Sequence, residues 1–330
     1  MINFLKYYNF YNYKIIGNQN IISTNKSLLF NNSGFSAIRN LIIKIKNNNF
    51  SSYQYCVRLK GLFNDLKLNN DGIHQTSFIM LGNFLLNTNI LLFLKISLNF
   101  LLIMKINKKK VYFSINILDF NTIIILLLLK INIKKIIFTK KNIWKINNYG
   151  YLGFCLEIYC KFNNILLEVW NIVNINYLLI NKKLFKIKNN IIDSGLGYYR
   201  LNLKKFSKKL KLIDLCNSVF LILSNININY TKNHNFLLNK ILKILFLIVI
   251  KKKISILKIF FLFFKKNKKF YFIYNIKKFI FNIIRKEYSF FFDLKKTNIN
   301  KINILEMKFI FETFGIPYWY LYKIIKNNYI

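Results

Sequence analysis

Thr139, Lys140, Lys141 and Asn142 stand together at the end of an apolar stretch. They offer a short hydroxyl, two cations and an amide that both donates and accepts, a set suited to phosphate oxygens and ribose 2′-hydroxyls. Such recognition needs no catalytic group. Arg39 with Asn40, and Lys109 with Lys110, bring the same chemistry elsewhere in the chain. Each group also has a plainer reading as the solvated face of an element. The charge balance decides between the two: 52 Lys and Arg against 11 Asp and Glu leave +41, a self-repulsion that calls for a polyanionic partner.

Chemistry of other kinds has little material. The 11 carboxylates fall singly along the sequence, so paired acid–base work is not expected. No GxxxxGK[ST], no GxGxxG after a strand and no HExxH occurs, so an enzyme is not expected either. Cys56, Cys155, Cys160 and Cys216 form no CxxC and have only His74 and His234 to join them. They read as free buried thiols in a reducing compartment, with no metal and no cofactor. Gly150-Tyr-Leu-Gly153 has the glycine spacing of a KH loop, which is weak as a signal.

The elements that would position these residues must be read through a strong composition bias. Ile, Lys, Asn, Leu, Phe and Tyr dominate, with one proline, as AT-rich codons in a small organellar genome would produce. The amino terminus carries no evident import signal, so synthesis in the compartment of use, a mitochondrial matrix before a plastid, is expected. Apolar runs such as Ile244–Ile250 and Thr122–Leu129 are closed by lysines well short of a membrane span, and Phe78–Leu94 holds three asparagines. A divergent organelle-encoded membrane subunit of a respiratory complex is therefore the alternative, not the first reading. Helices are expected over 36–46 and 57–68 and strands over 90–94, 100–106, 110–117, 133–139 and 154–162. Gly195-Leu-Gly197 falls in a break. Beyond it come Lys clusters interleaved with Phe and Tyr, which suit a core with basic rims better than base stacking.

Ile133 to Asn142 resembles the signature loop of the small-subunit ribosomal protein eight family. Thr139 and Lys141 match that loop, Gly153 matches the second glycine of its Gly-Gly pair as a structural residue, and Phe154 to Cys160 falls on its closing strand. Ala37 to Asn40, Leu92 to Lys95 and Lys109 to Tyr112 resemble earlier family segments in the same order. The resemblance implies an α+β fold, a two-part ribosomal RNA-binding domain over 31–162 with a large basic, aromatic-rich C-terminal extension. An arm would cover 1–30, a connecting region 163–198 and the extension 199–330. It also implies a structural role in a mitoribosome. The partners would be small-subunit ribosomal RNA and neighbouring ribosomal proteins, with no small-molecule substrate and no membrane insertion. The RNA would be held by Arg39, Asn40, Lys109, Lys110, Thr139, Lys140, Lys141 and Asn142.

Overall fold

Leu156, Ile158 and Cys160 alternate with Cys155, Glu157 and Tyr159, and that period of two runs on through a long strand apolar on one face. The computed structural model describes residues 1–24, 28–38, 48–59, 64–68, 73–145, 150–162, 164–181, 183–201, 210–224, 232–251 and 285. The chain divides into two compact units, Met1–Lys208 and Lys209–Ile330.

The first unit opens with helix α1 (Ile2–Phe10) and strands β1 (Lys14–Ile16) and β2 (Phe50–Val57), followed by the short helix α2 (Asp65–Leu68) and β3 (Ser77–Leu86). Helix α3 (Ile90–Ile103) leads to β4 (Val111–Asn116), and α4 (Phe120–Leu128) leads to β5 (Ile136–Thr139). Then come β6 (Ile143–Lys145), β7 (Gly150–Phe162), β8 (Ile165–Ile180), β9 (Lys183–Gly197) and the helical turn α5 (Tyr198–Leu201). These nine strands make one sheet in the order β1-β2-β3-β9-β8-β7-β4-β5, with β6 pairing onto β7. The β1–β2 and β4–β5 pairs are parallel and the rest antiparallel.

One face of the sheet carries the core. Leu81, Phe113, Ile158, Ile172 and Leu196 pack there against Phe4 and Tyr8 of α1, Phe93, Leu94 and Phe100 of α3, and Leu126 of α4. Trp170 is fully buried on the same face, where its Nε1 donates to Ser194 Oγ at 3.1 Å. The Tyr8 hydroxyl lies 3.0 Å from Ser97 Oγ and ties α1 to α3.

The α+β reading with an RNA-binding domain over 31–162 and a basic extension is corrected by this topology. The sheet takes strands from residue 14 to residue 197, and 163–198 supplies β8 and β9, which lie between β7 and β3 at its centre. Residues 90–94 and 100–106, read as strands, belong largely to α3. Their buried positions Ile90, Phe93, Leu94, Ser97, Phe100 and Leu101 follow a helical stripe, which the crowding of Leu and Ile hid. Residues 50–57 form a strand that the reading passed over, and the helix expected from 57 is described only at Asp65–Leu68. The helix expected over 36–46 is described as helical only to residue 38; the rest lies outside the described residues, as does most of the region after 251.

In the second unit, α6 (Leu210–Ser224) and α7 (Lys232–Lys251) pack together, and Leu215, Val219 and Ile222 of the one and Leu238, Ile241, Leu242 and Leu245 of the other are buried. Among the described residues no helix is long and apolar enough to cross a membrane.

Candidate active site

The second face of the sheet bears the chemistry. Pairing register aligns Ser52, Gly82, Gly195, Asn171 and Glu157 in one row across five strands. The adjacent row holds Phe50, Phe84, Asp193, Val173 and Cys155. Carboxylates that fall singly in the sequence, Glu157, Glu168 and Asp193, are thus gathered on neighbouring strands.

At the centre of the first row Gly82 and Gly195 have no side chains of their own, and the side chains of Phe84 and Met80 lie against them. A Cβ on Gly82 would meet the Phe84 ring at 2.8 Å, and one on Gly195 would meet Met80 Sδ at 2.9 Å. This row runs between a carboxylate end at Glu157 and the apolar cluster of Phe35, Phe50, Phe84, Val173 and Ile175.

Two arginines are fixed beside this row. Arg58 follows β2; its backbone N–H donates to Thr76 O at 2.9 Å and its Nε to Asn32 O at 2.9 Å. Its guanidinium stands 4.8 Å over the Phe78 ring, with Nη1 3.9 Å from Asp65 Oδ2. Burial disfavours the charge on Arg58, Asp65 offsets that cost, and Arg200 is close enough to add repulsion. Arg200, on α5, donates through Nη1 to Glu168 O at 2.8 Å and to Glu168 Oε2 at 3.1 Å. A planar, permanently charged fork locked at several points suits a polyphosphate better than a lysine would.

The carboxylates differ in state. Burial pushes Asp193 up to about 7, and among the described residues its carboxylate has no hydrogen-bond partner. Burial also raises Glu157, against the bond it accepts from the Tyr159 hydroxyl at 2.8 Å. Cys56 is pushed up to about 12 by burial, so it is an inert thiol at neutral pH.

The residues singled out from sequence occupy different places. Arg39 and Asn40 lie outside the described residues. Lys109 and Lys110 are exposed in a 3₁₀ turn before β4. Thr139 ends β5 and accepts from the Lys141 N–H at 3.1 Å; Lys140 and Lys141 are exposed. The two groups sit at opposite ends of β4, about 20 Å apart at some 3.3 Å per residue. Asn142 is buried, donating through Nδ2 to Ser114 O and Ser114 Oγ, both at 3.0 Å. Gly153 lies in β7, where a Cβ would come within 2.1 Å of Asn174 O.

A sequence model of the tRNA synthetases class II (A) matches residues 2–238. The chain belongs to the class II tRNA synthetases. The alanine–tRNA ligase of Buchnera aphidicola subsp. Cinara cedri is 28% identical over 235 residues, covering 60% of this chain and 27% of that protein. The alanine–tRNA ligase of Wigglesworthia glossinidia brevipalpis is 27% identical over 234 residues, covering 60% and 26%. The chain therefore spans about a quarter of the length of the curated relatives it matches. Among solved structures, apo histidyl-tRNA synthetase of S. aureus is similar with TM-score 0.39 and 14% identity over 63% of each chain.

Membership of this family corrects the ribosomal assignment. With it go the ribosomal RNA and protein partners, the absence of a small-molecule substrate, the exclusion of an enzyme, and the respiratory membrane alternative. The ribosomal likeness rested on three- and four-residue matches, which recur readily in a chain made from so few residue types. One of them, Leu92 to Lys95, lies inside helix α3. Sequence reasoning missed Arg58, Glu157, Glu168, Asp193 and Arg200. The usable signal was rarity: only Arg39, Arg58, Arg200 and Arg285 are arginine among 52 basic residues.

Proposed function

We propose that the chain activates an amino acid with ATP and joins it to tRNA, and that the amino acid is alanine, as in the relatives it resembles. The observation that carries this is the placement of Arg58 and Arg200 on the same face of the sheet as Asp193. In activation, a carboxylate oxygen of the amino acid attacks the α-phosphorus of ATP. The bond to pyrophosphate breaks, and pyrophosphate leaves with the electron pair. No proton need move, so the work is positioning and balancing charge. Arg58 and Arg200 supply that balance at fixed positions.

Asp193 supports recognition of the substrate ammonium, since a buried carboxylate short of partners gains most from a cation. Its cross-strand neighbours Phe84 and Val173 leave an apolar surround suited to a small side chain such as a methyl. A mitochondrial matrix location remains the proposed compartment on composition, tested by organelle fractionation with an antibody to the chain.

The direct test is exchange of labelled pyrophosphate into ATP with each amino acid supplied separately. Alanine alone is expected to drive exchange; exchange with none of them would contradict the proposal.

A further inference from the structure

The parallel pair β4–β5 is the product of a repeated unit with a period of 25 residues. Lys105-Ile-Asn-Lys-Lys-Lys-Val111 aligns with Lys130-Ile-Asn-Ile-Lys-Lys-Ile136. The structures repeat as well. Lys105 and Lys130 both end a helix with positive φ, 61° and 58°, and their N–H groups donate to Leu102 O and Leu127 O at 2.8 Å each. Asn107 and Asn132 then accept from Lys109 N–H and Lys134 N–H through Oδ1 at 2.9 Å, opening matched 3₁₀ turns. Buried Phe100 and Leu101 correspond to buried Ile125 and Leu126.

Because β4 and β5 run parallel, both basic turns lie at the same end of the sheet. Lys135 Nζ donates to Lys108 O at 2.8 Å and stands 5.9 Å over the Tyr112 ring, which ties one turn to the other. Lys105, Lys108 to Lys110, Lys130 and Lys134 remain exposed. None of them pairs with a carboxylate among the described residues. Between 105 and 135 the one acid is Asp119, buried at the other end of β4 as the cap of α4. An ordinary solvated face interleaves both signs of charge. This one carries a single sign on a braced scaffold.

We propose that this lysine ridge docks the phosphate backbone of the RNA substrate, at a place distinct from the face bearing Arg58, Arg200 and Asp193 where activation is proposed. Charge complementarity carries the proposal, and the choice of RNA rests on the synthetase reading. Each lysine that meets a phosphate releases counterions, so affinity falls steeply with salt. Exposed Ile103, Leu128 and Ile133 beside the ridge make an anionic membrane the competing occupant.

The test uses the full chain with Lys108, Lys109, Lys110 and Lys134 all changed to Gln, beside a control with Lys14, Lys183, Lys186 and Lys188 changed to Gln. Both lose four charges from exposed positions. Binding to an unfractionated tRNA pool is followed against salt, and binding to phosphatidylserine–phosphatidylcholine vesicles is followed by sedimentation. The ridge variant is expected to lose about three to four units of salt slope and the control less than one. Alanine-dependent exchange should be unchanged in both. Equal losses in the two variants, an unchanged slope, or loss of vesicle binding with tRNA binding intact would each overturn the ridge. Absence of exchange in the wild-type chain, with tRNA binding still lost in the ridge variant, would leave the ridge standing and remove the synthetase reading alone.

Discussion

Arg200 and Glu168 meet twice, since one guanidinium nitrogen reaches both the backbone oxygen, at 2.8 Å, and the carboxylate, at 3.1 Å, of the same residue. This fixes α5 to β8 and points a cation along the sheet. A lysine carries the charge but cannot keep the fork geometry. Arg200→Lys should therefore lower kcat/KM for alanine-dependent exchange at least tenfold, while Lys186→Arg, on the exposed part of β9, should leave it unchanged. Steady-state exchange kinetics check this.

Asp193 ties the proposed ammonium site to pH. With its proton held to about 7, the free site is largely protonated below that value, and a cationic amine then finds no charge to meet. KM for alanine should rise about tenfold for each pH unit below 7. In Asp193→Asn it should be high and flat with pH.

The same residue sets a stability trend in the free protein. Its proton is bound more tightly folded than unfolded, where the ordinary value is 3.8. Its contribution is therefore present below about pH 4 and lost as pH rises through about 7. Between pH 5 and 8 the melting temperature of Asp193→Asn should fall less than that of the wild type. Parallel curves would show that Asp193 does not titrate there.

Gly153 faces the backbone of β8, so Gly153→Ala has no room: its Cβ would lie 2.1 Å from Asn174 O. Only separation of β7 from β8 relieves this, at a cost of about 3 kcal/mol or more. Gly17→Ala, with nothing within 4 Å, should be tolerated. Denaturant melts of the two variants separate a steric cost from a general loss of glycine.

How much was legible follows from where glycine and arginine went. Turns that need a left-handed residue use Asn12, Asn87, Asn164 and Asn181, and even Lys105 and Lys130, so the usual glycine punctuation was missing. Glycine was kept instead where backbones or rings crowd, at Gly82, Gly153 and Gly195. Gly195-Leu-Gly197 thus looked like a break and proved to be the end of a strand leading to Arg200. The strands at 111–116, 136–139 and 150–162 were legible because they alternate or end in polar residues. The site was not, because it is assembled by register between strands more than 100 residues apart.

Lys130 at a left-handed helix end yields one further expectation. Lys130→Gly should raise stability by about 0.5–1 kcal/mol, since glycine takes that conformation without steric cost. Urea unfolding checks it; destabilisation would mean that the lysine side chain contributes contacts worth more than the strain.

On the proposed function, an amino acid is activated on the face of the sheet between Arg58 and Arg200. Alanine-dependent pyrophosphate exchange by Arg58→Ala and Arg200→Ala, set beside their melting temperatures, tests it most directly. A loss of at least a hundredfold in kcat/KM is expected in each, about 2.7 kcal/mol of transition-state stabilisation, with both variants still folded at the assay temperature. Folded variants that exchange at the wild-type rate would contradict it.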